Sequence, residues 1–444
     1  MSYFGTDGIR KKASEFTPEF LRAVAKGLAN YGESLKPEGG IKVLIGGDTR
    51  ESSEAMIRDF EEAFESLGVE YGSVGVLSTP AISYVFYEMG FDFAIDITAS
   101  HNPWTDNGIK IFERGSKGSI KLSDAGREFI EKAIEAGQDY PVVATELREN
   151  LHDEAVEIYL EHLRSFVGDA SFAGMKIGLD CANGATSVVN KRIFEEFGAE
   201  VMLINCNENY GQVINKDCGS THIEALQKIV VENHLDFGAA FDGDGDRVLM
   251  VDKNGDAVDG DQMIVILAES MGLKSAAVTV MANQGIFDWA KRTGVSLEVT
   301  PVGDENVAEA MRTKGIMIGG EQSGHVILPN EATGDGMATA LVIAAVIAKN
   351  GKSLDELASS MTRFPQITVN IRATEKQKAM LKTSNKIKSL LLEYDQKIAA
   401  NNGKLLVRPS GTESLVRITV WGKDEAKITT LADELAKKID EYLS

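Results

Sequence analysis

The feature that most constrains the fold is a repeated order of strand, polar loop and helix. Residues 42–45 form a β-rich run that ends in the polar segment 46–50, and helical periodicity follows at residues 53–67. The same order returns at residues 176–197 and again in the region that begins near Gly260. Strands that alternate with helices are typical of α/β domains, and similar units along a chain indicate a repeat. The sequence therefore predicts three related α/β domains with mixed sheets.

Four domains are predicted from the chain length and from two changes in pattern. A chain of 444 residues exceeds what one hydrophobic core usually supports. The periodicity weakens between residues 137 and 154, and after Phe364-Pro365 the strands and helices follow a different order. The predicted domains are α/β units at residues 1–150, 151–254 and 255–365, and a smaller α+β domain at residues 366–444.

The charge balance excludes two classes of partner. Lysine and arginine total 46 against 67 aspartates and glutamates, which gives a net charge of −21. Such a chain is repelled by nucleic acid and by an anionic membrane surface. We therefore expect a small-molecule ligand, and an anionic one would need a local basic pocket.

A cytoplasmic location is predicted from the chain start and from the cysteines. The first residues lack the basic and apolar regions of a signal peptide, and the longest mostly apolar run, residues 337–348, is too short to cross a bilayer. Cys181, Cys206 and Cys218 lack the CxxC spacing of a zinc site or a redox pair. We expect three buried thiols.

Three carboxylates at alternate positions predict a metal site. Asp242, Asp244 and Asp246 follow a strand-like run, and the intervening glycines let the backbone curl so that all three can face one point. Hard oxygen ligands of this kind suit Mg²⁺ or Ca²⁺. An EF-hand loop is excluded, because Arg247 and Lys253 occupy the positions where it needs glycine and glutamate. A solvated acidic turn is the alternative, and crowding of like charges favours the metal.

A serine near the tip of a loop is the candidate nucleophile. A buried strand at residues 93–97 leads into Thr98-Ala99-Ser100-His101-Asn102-Pro103, where the proline ends the strand. Loops on such scaffolds often carry chemistry, although an ordinary turn fits the same residues. His101 is expected to point away from Ser100, because adjacent side chains of an extended segment face opposite sides. Lys110 is a candidate acid or base if its surroundings lower its pKa.

Two further loops carry groups suited to a phosphorylated sugar. Hydroxyls, glycine amides and arginines in one tight loop can hold a phosphate dianion, although an ordinary hairpin turn is equally compatible. A second loop, rich in glycine, offers a carboxylate, a hydroxyl and an imidazole for a polyhydroxy ligand. Neither loop matches a Walker A, GxGxxG or GxSxG pattern. The residues are Arg408, Ser410, Gly411 and Thr412 with Arg417 in the first loop, and Glu321, Ser323 and His325 in the second.

Five segments, in this order and spacing, resemble the signature motifs of the α-D-phosphohexomutase superfamily. The resemblance covers the whole chain and is closest to the branch that acts on glucosamine phosphate, with the mannose and glucose phosphate branches as alternatives. It implies four domains around one central cleft and a possible homodimer. The segments are Phe4-Gly5-Thr6-Asp7-Gly8-Ile9-Arg10, residues 98–103 with Lys110, residues 242–247, residues 320–325 and residues 408–417.

The resemblance assigns a role to each candidate residue. It implies that Ser100 carries a phosphoryl group and, with the three aspartates, binds Mg²⁺, and that Lys110 is a general acid or base. Arg10 and Arg247 match arginines near the phosphoserine. Glu321 and Ser323, with Gly303 and His325 nearby, match the groups that bind the sugar, and Arg408, Ser410, Gly411, Thr412 and Arg417 match the loop that holds the phosphate that is not transferred.

The implied reaction is an isomerisation by phosphoryl transfer. Phospho-Ser100 would donate to glucosamine 6-phosphate, form a 1,6-bisphosphate that turns over in the cleft, and release glucosamine 1-phosphate, a precursor of amino-sugar nucleotides. A hexose 1,6-bisphosphate would serve as activator. The chain has Glu305-Asn306 where the branch usually has Arg-Tyr, a departure that bears on substrate preference. A catalytically silent sugar-phosphate-binding protein and a metal-dependent phosphatase are the alternatives from other classes.

Overall fold

The computed structural model describes residues 3–443 apart from residues 6, 38, 117, 138–139, 141–149, 401 and 411–413. The described strands form four sheets of six, five, four and three strands. The first three sheets contain both parallel and antiparallel pairs, and the last is antiparallel. The predicted fold class, three related α/β domains and a smaller α+β domain, is confirmed.

The first sheet places the Ser100 loop at one strand end. Its order is β1-β5-β4-β2-β3, with β6 beside β5, and every residue of β4 is buried. The strands are β1 (Ile9–Lys12), β2 (Lys42–Gly47), β3 (Glu70–Val76), β4 (Phe93–Ile97), β5 (Asp106–Arg114) and β6 (Ser119–Lys121), and the helices are α1 (Pro18–Leu35), α2 (Ser53–Leu67), α3 (Thr79–Glu88) and α4 (Asp124–Ala136).

The second sheet has the acidic loop at the end of its central strand. Its helices are α5 (His152–Val167), α6 (Asn190–Glu196) and α7 (Glu224–Glu232), and its strands are β7 (Lys176–Asp180), β8 (Glu200–Ile204), β9 (Phe237–Phe241), β10 (Val248–Asp252) and β11 (Ala257–Val258). The strand order is β11-β10-β9-β7-β8. Because β9 is buried along its whole length, the residues that follow it emerge from the middle of the domain.

The third and fourth sheets carry the two candidate ligand loops. The third has order β13-β12-β14-β15 and the fourth has order β16-β18-β17, with these bounds: α8 (Gly260–Ser270), β12 (Ser275–Thr279), α9 (Gln284–Thr293), β13 (Ser296–Thr300), α10 (Asp304–Lys314), β14 (Gly319–Gly320), β15 (Val326–Ile327), α11 (Gly336–Asn350), α12 (Leu354–Ala358), β16 (Gln366–Arg372), α13 (Glu375–Thr383), α14 (Asn385–Ala399), β17 (Lys404–Pro409), β18 (Leu415–Trp421) and α15 (Glu425–Leu443).

The hydrophobic core joins the first three units and leaves the fourth separate. One contiguous cluster includes Leu44 of the first sheet, Leu179 of the second and Val278 of the third. The strands and helices of the C-terminal unit enclose a cluster of their own, around Tyr394 and Ile418. The first three units therefore form one packed body, and the C-terminal unit is stabilised by its own apolar contacts.

The expectation of three buried thiols is wrong for two of the cysteines. Cys181 follows β7 and Cys206 follows β8, and these two strands pair in parallel, so the cysteines lie side by side and form a disulfide bond. Their separation of 25 residues in the chain hides this proximity from a reading of local spacing. Cys218 is a buried free thiol as expected.

None of the helices in the described part of the chain combines the length and the apolar character needed to span a bilayer.

A buried carboxyl group connects the second and third units. Asp335 caps α11, where its Oδ1 accepts a hydrogen bond from Ala338 N at 2.8 Å, and its Oδ2 accepts one from the Tyr159 hydroxyl at 2.7 Å. Burial raises the pKa of Asp335 from 3.8 to about 6. Because its pKa is higher in the folded state, the protonated carboxyl stabilises the fold at low pH, and this contribution is lost as pH rises from about 4 to 6.

We predict that Asp335→Asn, whose Oδ1 still accepts from Ala338 N and whose Nδ2 can donate to the Tyr159 hydroxyl oxygen, becomes more stable relative to the wild type as pH rises through this range. The gain would reach at most about 3 kcal/mol, the value of a shift of about two pKa units. Melting temperatures of both proteins between pH 4 and 7 check it, with Asp124→Asn, a fully exposed carboxylate in the first turn of α4, as control. A difference between wild type and Asp335→Asn that does not change with pH would contradict it.

Candidate active site

Ser100 is fully buried at the end of β4 in a conformation that is unusual for serine. Its φ of 54° lies in the left-handed region, which costs a residue other than glycine about 1–3 kcal/mol and often marks a functional position. The Ser100 hydroxyl donates a hydrogen bond to Asp242 Oδ2 at 2.8 Å. The structure thus joins the predicted nucleophile, from the first unit, to the predicted metal loop of the second.

His101 contacts Ser100, contrary to the prediction that the two side chains point apart. That prediction assumed an extended backbone, and the left-handed turn at Ser100 instead brings His101 Nδ1 to 3.2 Å from Ser100 Oγ. Arg247 Nη1 donates to the same Nδ1 at 3.1 Å. Burial, together with the charges of Arg247 and Arg10, lowers the pKa of His101 to about 4. The imidazole is therefore neutral at neutral pH, with Nδ1 as an acceptor.

The three aspartates converge as the sequence predicts. Each offers an oxygen within 4.8 Å of the others, and all three side chains are buried. Burial and the charges of Asp244 and Asp246 raise the pKa of Asp242 well above its usual value. Asp244 Oδ1 and Asp246 Oδ1 have no hydrogen-bond partner among the described residues. Crowded carboxylates with unused lone pairs fit a hard divalent cation.

Close approach of the two loops requires glycine between the carboxylates. A Cβ at Gly243 would lie 2.7 Å from the carbonyl oxygen of Ser100. Because that distance is shorter than any real contact of a Cβ, a side chain here would push the Ser100 loop away from Asp242. The alternation of glycine and aspartate is thus a steric requirement of the site as well as a chemical one.

Lys110 forms ion pairs with three carboxylates, but its pKa is raised, whereas a general base needs a lowered pKa. Its Nζ is 2.8 Å from Asp244 Oδ2, 2.9 Å from Asp246 Oδ2 and 3.2 Å from Asp7 Oδ2. Burial alone would lower the pKa of Lys110, but these three carboxylates outweigh burial and raise it well above the usual value. The condition set from the sequence, a lowered pKa, is therefore not met. Lys110 is a buried cation that holds its proton tightly.

A chain of alternating charges continues from Lys110 to the third unit. Asp7 accepts a hydrogen bond from Arg10 at 2.5 Å and one from Lys121 at 2.7 Å, and Lys121 also pairs with Asp304. Asp304 Oδ2 lies 3.6 Å from His325 Nε2. Sequence reasoning did not assign Asp7 or Asp304 a role, although Asp7 lies inside a matched motif and Asp304 follows Gly303 directly. Nothing in the local sequence indicated Lys121.

His325 is buried with a fixed ring orientation. Its Nε2 accepts a hydrogen bond from Gly334 N at 3.1 Å and lies 4.0 Å from Asp246 Oδ2. Its Nδ1 has no hydrogen-bond partner among the described residues. The imidazole therefore stands beside the acidic triplet with one nitrogen available.

The predicted sugar loop connects β14 to β15 and is open at its tip. Glu321 is half-buried and accepts a hydrogen bond from Gly303 N at 3.2 Å, whereas Ser323 is exposed. Gly324, with φ of 94°, packs so tightly on β10 that a Cβ there would lie 2.0 Å from the carbonyl oxygen of Val248. The loop is thus anchored on the second unit, and its polar side chains stay accessible.

Two arginines face each other at the C-terminal loop. Arg408 and Arg417 are direct partners across β17 and β18, and Ser410 is buried, with its carbonyl accepting a hydrogen bond from Lys378 Nζ at 2.9 Å. Burial and the like charge of Arg417 lower the pKa of Arg408. Two adjacent cations favour an anionic ligand. Gly411 and Thr412, predicted for the same loop, lie outside the described residues.

Electrostatic coupling relates Glu321 to the serine site and to the C-terminal arginines. Burial opposes the charge on Arg247, but Asp246, Asp242 and Glu321 raise its pKa. Glu321 also stabilises the charged form of Arg408. The sugar loop therefore lies within electrostatic range of the serine site on one side and of the C-terminal arginines on the other.

Family models match nearly the whole chain. Three models described as phosphoglucomutase/phosphomannomutase alpha/beta/alpha domains match it: domain I at residues 1–141, domain II at residues 157–255 and domain III at residues 259–364. The C-terminal domain model of the same family matches residues 369–438.

Curated relatives match over their full length. The phosphoglucosamine mutase of Caldicellulosiruptor saccharolyticus is 41% identical and aligns over 99% of each chain. That of Deinococcus radiodurans is 39% identical, over 99% of this chain and 98% of the relative.

Solved structures share the fold at lower identity. A structure described as a putative phosphomannomutase from Thermus thermophilus has a TM-score of 0.76 at 22% identity and covers 98% of each chain. The Aspergillus fumigatus N-acetylphosphoglucosamine mutase in complex with GlcNAc-6P and magnesium has a TM-score of 0.68 at 17% identity, over 100% of this chain and 96% of that one. The family models and full-length relatives confirm the resemblance seen in the motifs: the chain belongs to the phosphoglucomutase/phosphomannomutase family of α-D-phosphohexomutases.

Proposed function

We propose that the protein is a phosphoglucosamine mutase that interconverts glucosamine 6-phosphate and glucosamine 1-phosphate. The observation that carries the proposal is the 2.8 Å hydrogen bond between Ser100 and Asp242, which sets a strained, buried serine on a carboxylate cluster fit for a metal. The choice of glucosamine rests on the full-length relatives of about 40% identity that bear this name. We further propose that the protein acts in the cytoplasm and, by family resemblance, as a homodimer.

The reaction needs two phosphoryl transfers through one serine. In the first, O1 of glucosamine 6-phosphate attacks the phosphorus of phospho-Ser100, the bond between phosphorus and Oγ breaks, and the O1 proton is released. The serine oxygen takes up a proton and becomes the free hydroxyl. After the 1,6-bisphosphate turns over, Oγ loses this proton and attacks the 6-phosphoryl group, the bond to O6 breaks, and O6 takes up a proton. The serine is phosphorylated again and glucosamine 1-phosphate leaves. A hexose 1,6-bisphosphate restores the phosphoserine if it is lost.

Asp242, Asp244 and Asp246, with an oxygen of the phosphate on Ser100, would hold Mg²⁺. The ion supplies positive charge to the transferred phosphoryl group. The unpartnered oxygens of Asp244 and Asp246 and the raised pKa of Asp242 are the features of this chain that fit it.

The remaining residues of the serine site supply positive charge and position. Arg247 is oriented by its hydrogen bond to neutral His101 and would face the phosphoryl group on Ser100. Arg10 is oriented by Asp7, and Lys110 remains protonated beside the triplet. Charge neutralisation and alignment are the main components of phosphoryl-transfer catalysis. Lys110 enters as a positive charge beside the triplet, and a role as general acid or base rests on the family resemblance alone.

The outer part of the cleft would hold the sugar and its second phosphate. Glu321 and Ser323 are accessible for sugar hydroxyls, with Gly303 and His325 beside them. The facing pair Arg408 and Arg417 would bind the phosphate that is not being transferred, together with Ser410, Gly411 and Thr412. Because the 1,6-bisphosphate must reverse its orientation in the cleft, this phosphate site has to bind either of its two phosphates.

We predict that Ser100→Ala abolishes turnover, because both proposed transfers pass through the hydroxyl that the variant lacks. The assay combines glucosamine 6-phosphate, glucose 1,6-bisphosphate and Mg²⁺ and measures glucosamine 1-phosphate. Mass spectrometry should find a phosphoryl adduct on Ser100 of the wild type and none on the variant. Ser165→Ala, at an exposed serine of α5, is the control. Full activity of Ser100→Ala, or steady release of inorganic phosphate by the wild type, would contradict the proposal.

Mg²⁺ is expected to raise the melting temperature of the wild type, since it relieves repulsion among three buried carboxylates. Asp242→Asn keeps the side-chain shape and removes one charge, so we predict Mg²⁺ affinity at least about tenfold weaker, the order found when a group that supports a metal is lost. Calorimetric titration measures it without any turnover. Asp153→Asn, at an exposed position of α5, should bind Mg²⁺ like the wild type. Equal affinity in Asp242→Asn would exclude the triplet as the site.

The departure at Glu305 leads to a prediction on specificity. The Glu305 carboxylate pairs with Arg127 of the first unit at 2.8 Å, so its side chain is engaged between units. We predict that Glu305→Gln leaves the ranking of kcat/KM for glucosamine, glucose and mannose phosphates unchanged and lowers stability by less than about 1 kcal/mol, as for a partly exposed ion pair. A changed ranking would show that Glu305 acts on the sugar.

A further inference from the structure

We propose that Arg50 and Asn215 are positioning residues for phosphoryl transfer, and that they act by holding the Ser100 carbonyl from two domains. This inference rests on the proposed function and extends it. Neither residue touches the Ser100 hydroxyl in the described contacts. Their shared target is the main-chain oxygen of the nucleophile, which accepts hydrogen bonds from Arg50 Nη2 at 2.7 Å and from Asn215 Nδ2 at 2.8 Å.

Arg50 is a rigid, fully buried guanidinium whose donors all serve the Ser100 loop or its support. Its Nη1 donates to the carbonyls of Pro103 at 2.6 Å and Asp106 at 3.0 Å, on the far side of that loop. Its Nε donates to Asp48 at 2.8 Å. A buried arginine is costly unless its charge and donors are satisfied. Here the ion pair satisfies the charge, and the planar fork fixes three carbonyls relative to each other.

Asp48, the ion-pair partner of Arg50, also supports the Ser100 loop. Its Oδ2 accepts a hydrogen bond from the Thr98 hydroxyl at 2.7 Å, and the same hydroxyl oxygen accepts one from Ser100 N at 2.8 Å. The peptide on each side of Ser100 is therefore tied to the pair of Asp48 and Arg50. That arrangement accounts for how a serine is kept at a φ of 54°.

Asn215 reaches the same oxygen from the second unit. It lies in the loop after β8, and its side chain also donates to the carbonyl of Asn102 at 3.0 Å. Its own φ of 57° is in the left-handed region, and its backbone N donates to Ala182 at 2.9 Å. Asparagine tolerates this conformation better than most residues, so the side chain and the backbone angle are suited to one another.

The two donors are joined to each other and to the metal loop. The segments around Arg50 and Gly211 form a parallel bridge, with Glu51 N donating to Gly211 O and Gly211 N donating to Thr49 O, both at 2.9 Å. A Cβ at Gly243 would lie 2.8 Å from Asn215 Nδ2 as well as 2.7 Å from the Ser100 carbonyl. The nucleophile of the first unit and the carboxylates of the second are thus aligned through this one carbonyl.

The hydrogen bonds to the Ser100 carbonyl affect catalysis through the direction in which the Ser100 hydroxyl points. Holding the carbonyl fixes the orientation of the Ser100 peptide and with it the direction of Oγ toward Asp242. In each transfer a bond between Oγ and phosphorus forms or breaks as the bond to the sugar oxygen does the opposite, and such a step is sensitive to small misalignment. Loss of these hydrogen bonds to the Ser100 carbonyl should lower the rate of phosphoryl transfer. The binding of sugar phosphate, which uses other residues, should stay nearly unchanged.

The test is Asn215→Gly in the full-length protein. Glycine accepts the left-handed backbone and removes both donors, so strain is not added. We expect kcat to fall about 10- to 100-fold with KM within twofold, in keeping with the cost of a misplacement of about 1 Å. Rapid quench with glucose 1,6-bisphosphate, followed by mass spectrometry, should show Ser100 phosphorylated more slowly by a similar factor.

Two further variants separate positioning from folding. Asn215→Asp keeps the shape and the backbone tolerance but cannot donate, so it should show a similar loss. Asn209→Gly removes an exposed amide of the same loop that donates to Asn207 and should behave like the wild type. All rates are expressed per site that can be phosphorylated to completion, and Mg²⁺ titration together with the melting temperature reports on the fold. Arg50→Lys, which keeps the charge and loses the fork, serves if both Asn215 variants fail to fold.

The outcomes are distinct. If the wild type neither phosphorylates Ser100 nor isomerises the sugar phosphate, the proposed function itself fails. If the wild type does both and the folded Asn215 variants match it within twofold in kcat and in the rate of Ser100 phosphorylation, the positioning role is overturned. A lower melting temperature with an unchanged rate per phosphorylatable site would likewise overturn it, because that is the result of a purely structural role.

Discussion

Repulsion among three buried carboxylates is the constraint on which the site depends. Asp242, Asp244 and Asp246 are gathered where water cannot screen them, and such a cluster is tolerated only with compensating positive charge. Lys110 supplies part of this positive charge, and the carboxylates in turn keep Lys110 protonated. The same need for positive charge makes the site suitable for a divalent ion, and a bound ion would in turn attract phosphate. The electrostatic strain of the fold and the chemistry of the site therefore have a common origin.

Assembly of the site follows from how the units meet. Each of the loops that contribute to it extends from the end of a strand, the usual location of ligand sites in open α/β sheets. The first three units share one apolar cluster, so the serine, the carboxylates and His325 are fixed relative to one another by core packing. The alternating ion pairs from Lys110 through Asp7 and Lys121 to Asp304 run along the same contact between units. Polar contacts thus refine an alignment that apolar packing establishes.

The sequence was informative where chemistry is local and silent where it depends on distant partners. The acidic triplet, the Ser100 loop and the C-terminal arginines could be predicted because each motif lies within a few consecutive residues. Lys121, Arg50 and Asn215 could not, since their roles depend on partners that are far away in the chain and meet them only in the folded protein. The same reason hid the disulfide between Cys181 and Cys206. The error at His101 had another cause: alternation of side chains was assumed for a backbone that turns left-handed at Ser100.

The separate core of the C-terminal unit allows this unit to unfold on its own. That unit is attached to the third one in part by Lys404, whose ammonium donates to the carbonyls of Val280 and Ala282 and lies between the rings of Phe287 and Trp421. Because its apolar cluster is its own, its unfolding need not spread to the rest of the chain. In the proposed mechanism, Ser100 stores the phosphoryl group and the C-terminal unit retains the bisphosphate intermediate, so the two tasks would fall to parts of the molecule with independent stabilities. Damage to the C-terminal unit would then leave a protein that still carries phosphate but releases its intermediate into solution.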